Sequence, residues 1–106
     1  MIVIVFRSKL TSEAGADYGR MAEEMLATAK SMPGFIDVKS FLAEDGERLT
    51  LVYWKDRETL AGWRNHPRHQ IAQQTGRTKW YEYYKIEVAE VIRDGVFERA
   101  EVPATA

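Results

Sequence analysis

Hydrophobic and polar positions repeat at two different periods along this chain, and each change of period marks the end of an element. From Ile2 to Phe6 every residue is apolar, which predicts a strand over residues 2–10 that is covered on both faces. Thr11 and Ser12 follow as candidate helix N-caps, with Glu13 where the helix dipole favours a carboxylate. Tyr18, Met21, Ala22, Met25, Leu26, Ala29 and Met32 then recur at steps of three and four, one face of a helix that Pro33-Gly34 ends. Two strands, Phe35–Leu42 and Leu49–Trp54, flank "AEDGER", in which Asp45-Gly46 is a hairpin signal. Asp56 caps a second helical region carrying Leu60 and Trp63. Pro67 breaks or restarts it, and Ile71 and Ala72 continue its apolar side to about Gly76. A long last strand runs from about Tyr81 to Arg93.

The order β-α-β-β-α-β is that of the split βαβ, ferredoxin-like unit, an α+β fold. Two helices cover one face of a four-stranded antiparallel sheet and leave the other bare. The first strand is nevertheless apolar on both faces, and Phe35, Phe41, Trp54, Tyr81, Tyr83 and Tyr84 exceed what one small core needs. A bare apolar face calls for a partner, and a two-fold homodimer packed sheet against sheet is the economical one.

With 106 residues there is room for a single domain, placed at 1–96, followed by a loose tail, 97–106, that ends in "EVPATA". Fifteen basic and sixteen acidic residues are mixed along the chain, so no footprint for nucleic acid or an anionic membrane is visible. The absence of cysteine removes disulfides and thiolate chemistry. "MIVIVF" has no basic region before it and is followed at once by Arg7 and Lys9, unlike a signal peptide or a span, so a cytoplasmic protein is expected. No Gly-rich dinucleotide loop or flavin motif stands out.

Candidate chemistry concentrates in "WRNHPRHQ", residues 63–70, which holds both histidines. Trp63 is either a packing anchor or an aromatic wall for a flat ligand. With Pro67 in the first turn of a new helical piece, His66 falls at its solvent-side entrance and His69 one turn inside. His69 is therefore the candidate general base, an imidazole that is neutral near pH 7. Two histidines three apart lack a third and fourth ligand nearby, so no metal is predicted. If Phe6 faces the helices, Arg7 faces the opposite side of the sheet, toward a partner or a barrel mouth. There it could form an interface salt bridge or stabilise a developing anion. Tyr53, Trp54, Tyr81 and Tyr84 could line a cavity or fill it.

"SMPGF" before a strand, "LVYWKDRETLAGW" and "HPRHQ" together resemble the antibiotic-biosynthesis monooxygenase family, over nearly the whole chain. The resemblance implies a ferredoxin-like protomer, a homodimer whose sheets form an α/β barrel, and a pocket between helices and sheet in each protomer. It also implies cofactor-free oxygenation of aromatic polyketides, oxidation of quinols, or haem degradation, and some members are not catalytic. Trp63 matches the pocket tryptophan, and His69 matches a histidine that quinol-oxidising members place after a proline. The haem-degrading pattern has an asparagine where Arg7 stands and an axial histidine where Gln73 stands, so the chain departs from it twice. The expected activity is therefore a cofactor-independent monooxygenase acting on a small aromatic phenol, quinol or polyketide-like molecule with dioxygen. His69 and Arg7 would be catalytic, and Trp63, Tyr53, Trp54, Tyr81 and Tyr84 would bind substrate. The alternatives are a non-catalytic module for an aromatic metabolite and, less favoured, haem degradation.

Overall fold

A computed structural model describes residues 1–100. The strands are β1 (Ile2–Leu10), β2 (Phe35–Leu42), β3 (Arg48–Trp54) and β4 (Tyr81–Glu90). The helices are α1 (Ala16–Ser31), α2 (Arg57–Arg64) and α3 (Pro67–Thr75), and a π-helical turn, Gly76–Trp80, leads into β4. The strands form one antiparallel sheet in the order β2-β3-β1-β4, which is the ferredoxin-like arrangement. β1 is central and paired on both sides, which is why its apolar residues run without interruption.

Strand alternation sorts β1 into two faces. Ile2, Ile4 and Phe6 point toward the helices. Val3, Val5 and Arg7 point away, in register with Tyr53, Leu51 and Leu49 of β3. Phe41 of β2 extends this open face beside Leu49 and is nearly half exposed. The buried core gathers at one end of the helix-covered side, where Ile2, Ala29, Trp54, Leu60 and Trp63 pack together.

Two boundaries differ from the sequence reading, each because of a partner distant along the chain. α1 starts at Ala16 after Gly15, not at Thr11 or Ser12. Thr11 is otherwise engaged: its N–H donates to the Trp80 carbonyl and its hydroxyl to the Lys79 carbonyl, both at 2.7 Å. It fastens the end of β1 to the π-helical turn. As Pro67 predicts, the second helical region is two helices, with Pro67 in the first position of α3 and His66 as its cap. β4 stops at Glu90, opposite Ile2 where β1 begins, so no strand remains for residues 91–93 to pair with. The last contact there is Val91 N–H to the Met1 carbonyl at 2.9 Å. Of the tail expected at 97–106, residues 101–106 lie outside the described residues.

The α1–β2 turn depends on Gly34, whose φ of +83° lies in the left-handed region. A Cβ added there would clash with the Thr59 side chain. Thr59 is not free to move, because it forms a capping box with Asp56: its N–H donates to Asp56 Oδ1 at 2.9 Å and its hydroxyl accepts from the Asp56 N–H at 3.4 Å. Gly34→Ala is therefore expected to cost about 1–2 kcal/mol from the backbone alone, and more from the clash. A chemical-denaturation midpoint equal to wild type would contradict this.

Candidate functional site

The apolar stripe of α1 does not close down on the whole sheet. Beyond the core it stands off and bounds a cavity of about 460 Å³. Ile4, Phe6 and Val52 form the sheet side, and Met21, Met25 and Leu26 the α1 side. Trp63, His69 and Gln73 close one end, and Tyr18, Trp80, Tyr81 and Tyr84 the other. Period two on the strands and period 3.6 on α1 put all of these on facing surfaces.

His69 is the titratable side chain best placed on this wall. The chain leaves α2 at Asn65, and His66 Nδ1 accepts from the Arg68 N–H at 3.1 Å to cap α3. One turn later the His69 ring stacks on Trp63, with centroids 4.2 Å apart and planes 16° apart. Its Nδ1 lies 3.2 Å from the Trp63 carbonyl oxygen. A carbonyl can only accept, so Nδ1 carries the proton and Nε2 keeps its lone pair. Burial pushes the imidazole below its ordinary value, more than the neighbouring carbonyls of Trp63 and Arg64 raise it. At neutral pH the ring is uncharged and able to accept a proton.

Trp63 is 7% exposed and stacks with Trp54 as well as with His69. At the far end, Phe6 stacks with Tyr84 and meets Tyr81 edge-on, at centroid distances of 5.5 and 5.7 Å. Burial, with Tyr18 adjacent, pushes the Tyr81 phenol above its ordinary value, so it stays a neutral donor. Tyr84 Oη accepts from Arg77 at 3.1 Å. The Tyr81 ring is seated on Gly76, where a Cβ would meet its Cε2 at 2.5 Å. The π-helical turn thus sets the position of this ring. Trp80, buried beside it, donates from Nε1 to Asp17 at 3.1 Å.

Four of the seven residues expected in the site, His69, Trp63, Tyr81 and Tyr84, border this cavity. Three do not. Trp54 faces inward but is 0% exposed and belongs to the core behind Trp63. Tyr53, its neighbour in β3, must point to the other face, and does so beside Val3. Arg7 also lies on that face, its Nε donating to Glu47 at 2.6 Å. Arg7 thus faces away from the helices, as alternation from Phe6 predicts, and neither it nor Tyr53 borders this cavity, to which β1 offers Ile4 and Phe6. Phe6, Trp80, Arg64 and Gln73 are wall residues that the sequence reading did not place in the site. Alternation along β1, carried one residue back from Arg7, was the signal for Phe6. Among the described residues no group of three or more His, Cys, Asp or Glu could hold a metal ion, and no helix is long and apolar enough to cross a membrane.

Comparison with known proteins bears on this geometry. Residues 1–75 match the family model described as antibiotic biosynthesis monooxygenase. The chain is 39% identical over 94 residues to the uncharacterized protein YqjZ of Bacillus subtilis, covering 89% of this chain and 82% of that one. It is 26% identical over 106 residues to the jasmonate monooxygenase of Pyricularia oryzae, covering 95% of this chain but only 49% of that protein. Among solved structures, SnoaB from Streptomyces nogalater, described as a cofactor-independent oxygenase, superimposes with a TM-score of 0.74 at 14% identity, covering 92% of this chain and 97% of SnoaB. The Mycobacterium tuberculosis protein Rv0793 superimposes with a TM-score of 0.76 at 14% identity, covering 90% and 98% of the two chains. At such identities the structural likeness speaks for the fold alone. The family match over most of the chain, with the fold and the wall-lined cavity behind it, makes this protein a member of the antibiotic biosynthesis monooxygenase family.

Proposed function

We propose that the chain is a cofactor-independent monooxygenase that oxidises a small aromatic phenol or quinol with dioxygen in the cavity between sheet and helices. The observation that carries this reading is His69, held neutral on an apolar wall with its Nδ1 proton committed to a backbone carbonyl. Nε2 takes the phenolic proton while the ring of the substrate lies among Trp63 and the far-end aromatics. The phenolate is itself the reductant. It passes one electron to dioxygen, the two radicals combine at a ring carbon, the imidazolium returns its proton to the peroxide, and the hydroperoxide loses water to leave a quinone. One oxygen atom ends in the product and the other in water, so no external electron donor is required. Tyr81, kept protonated at the opposite end of the cavity, supplies a hydrogen bond to a second oxygen on the far side of the substrate ring, where the charge of the anion is shared.

Names among the relatives agree with this class of chemistry, since two are described as a monooxygenase and a cofactor-independent oxygenase. Gln73 occupies the wall where the haem-degrading pattern has its histidine, and a carboxamide is a poor iron ligand. The test is oxygen uptake with a panel of anthrones and hydroquinones. Binding without uptake across the panel would make the cavity a metabolite-binding module instead.

The same reading makes the active species a homodimer closed through the open sheet face. Val3, Val5, Leu49, Leu51, Tyr53 and Phe41 form an apolar stripe there, and two such stripes facing each other complete a barrel. Light scattering is expected to give about 24 kDa, twice the 12.2 kDa chain. Val5→Asp is expected to shift the mass to that of one chain or to unfold it. A wild-type monomer at micromolar concentration would sink the barrel.

A further inference from the structure

A second cleft of about 330 Å³ adjoins the first, and Leu60, Arg64 and Val88 line both. The cleft runs over Ile2 and Ala61, between α2 and the end of β4. Its charged residues are Arg57, Arg64 and Glu90. Arg57 lies 3.6 Å from the Glu90 carboxylate, so those two charges offset one another. Arg64 makes no ion pair among the described residues. It is thus an uncompensated cation at the junction of two cavities with largely apolar walls. The large cavity has one carboxylate of its own, Glu23 of α1, and the cleft does not share it. An anionic group is repelled at the Glu23 side and attracted at the Arg64 side.

We infer that Arg64 selects substrates carrying a carboxylate, holding it in the small cleft while the aromatic body occupies the large cavity. A planar guanidinium suits this task because its parallel N–H groups match the two carboxylate oxygens. The position of Arg64 one residue after Trp63 places the charge at the edge of the aromatic wall rather than within it. Its exposure keeps the desolvation cost low, and the same exposure limits the expected gain in affinity to roughly two- to fivefold, well short of a buried pair. The inference rests on the proposed function for the large cavity and adds the class of substrate.

The experiment compares 6-hydroxy-2-naphthoate with its neutral isostere 6-hydroxy-2-naphthamide, both titrated calorimetrically into the full chain. Wild type is expected to bind the carboxylate roughly two- to fivefold more tightly, with the gap shrinking at high salt. Arg64→Gln is expected to bring the two dissociation constants together by weakening the carboxylate alone, and Arg64→Lys to retain part of the preference. Equal affinities in wild type, or a preference that survives in Arg64→Gln, would overturn the inference and leave the large cavity's role intact. Failure of both compounds to bind would count against the large cavity as an aromatic site, and the inference would fall with it.

Discussion

His69→Gln is expected to lower oxygen uptake roughly 10²–10⁴-fold, the range for loss of a positioned general base. The pH profile is the sharper readout. Wild-type activity rises with pH as the imidazole loses its proton, and because burial lowers the folded-state value, the rise is centred below the ordinary imidazole value of 6.5. His69→Gln removes that limb. His66→Ala keeps it, since His66 caps α3 and does not border the cavity. The same shift has a stability consequence with a definite sign. The unfolded chain binds the His69 proton more readily than the folded one, so this contribution is complete above the unfolded value and is lost as pH falls through the folded value. A pH profile of His69→Gln parallel to wild type would remove the base from the proposed mechanism.

Trp63→Ala is expected to cost about 3–5 kcal/mol of stability, the usual range for truncating a buried aromatic. That is a large share of the roughly 5–15 kcal/mol that holds a domain of this size together. The ring is nearly buried and stacks with Trp54 in the core and His69 on the wall, so its loss opens the core into the cavity. It also removes the surface that orients His69. Trp63→Phe keeps a flat ring and is expected to lose much less stability while still weakening aromatic ligands. Denaturant midpoints and ligand titrations on both variants separate the two roles. Should Trp63→Ala unfold at the wild-type midpoint, the ring would not be the link between core and site.

The elements were legible because each rests on short-range physics. The α1 stripe is a 3.6-residue repeat, the Asp56–Thr59 capping box spans four residues, and Pro67 carries its own preference for a first helical turn. From these the placement of His69 inside the turn and His66 at its cap could be anticipated. Boundaries failed where a distant partner intervened, as when Thr11 was drawn to the carbonyls of Lys79 and Trp80. The same held at the end of β4, where only the start of β1 says how far pairing can run.

For the site, sequence determined which residue types were available, and tertiary structure decided which of them meet. Tyr53 and Trp54 look interchangeable as a list of aromatics, yet strand alternation sends one to the open face and the other inward. Even the inward residue is no wall residue, because depth along the sheet buries Trp54 behind Trp63. Phe6 and Tyr18 come together with the adjacent pair Trp80 and Tyr81 from three separate parts of the chain, and no local period encodes that meeting. Sequence periodicity thus fixes the face a side chain presents within its own element. Only the packing of elements against one another fixes its depth and company, because those depend on contacts between residues far apart along the chain.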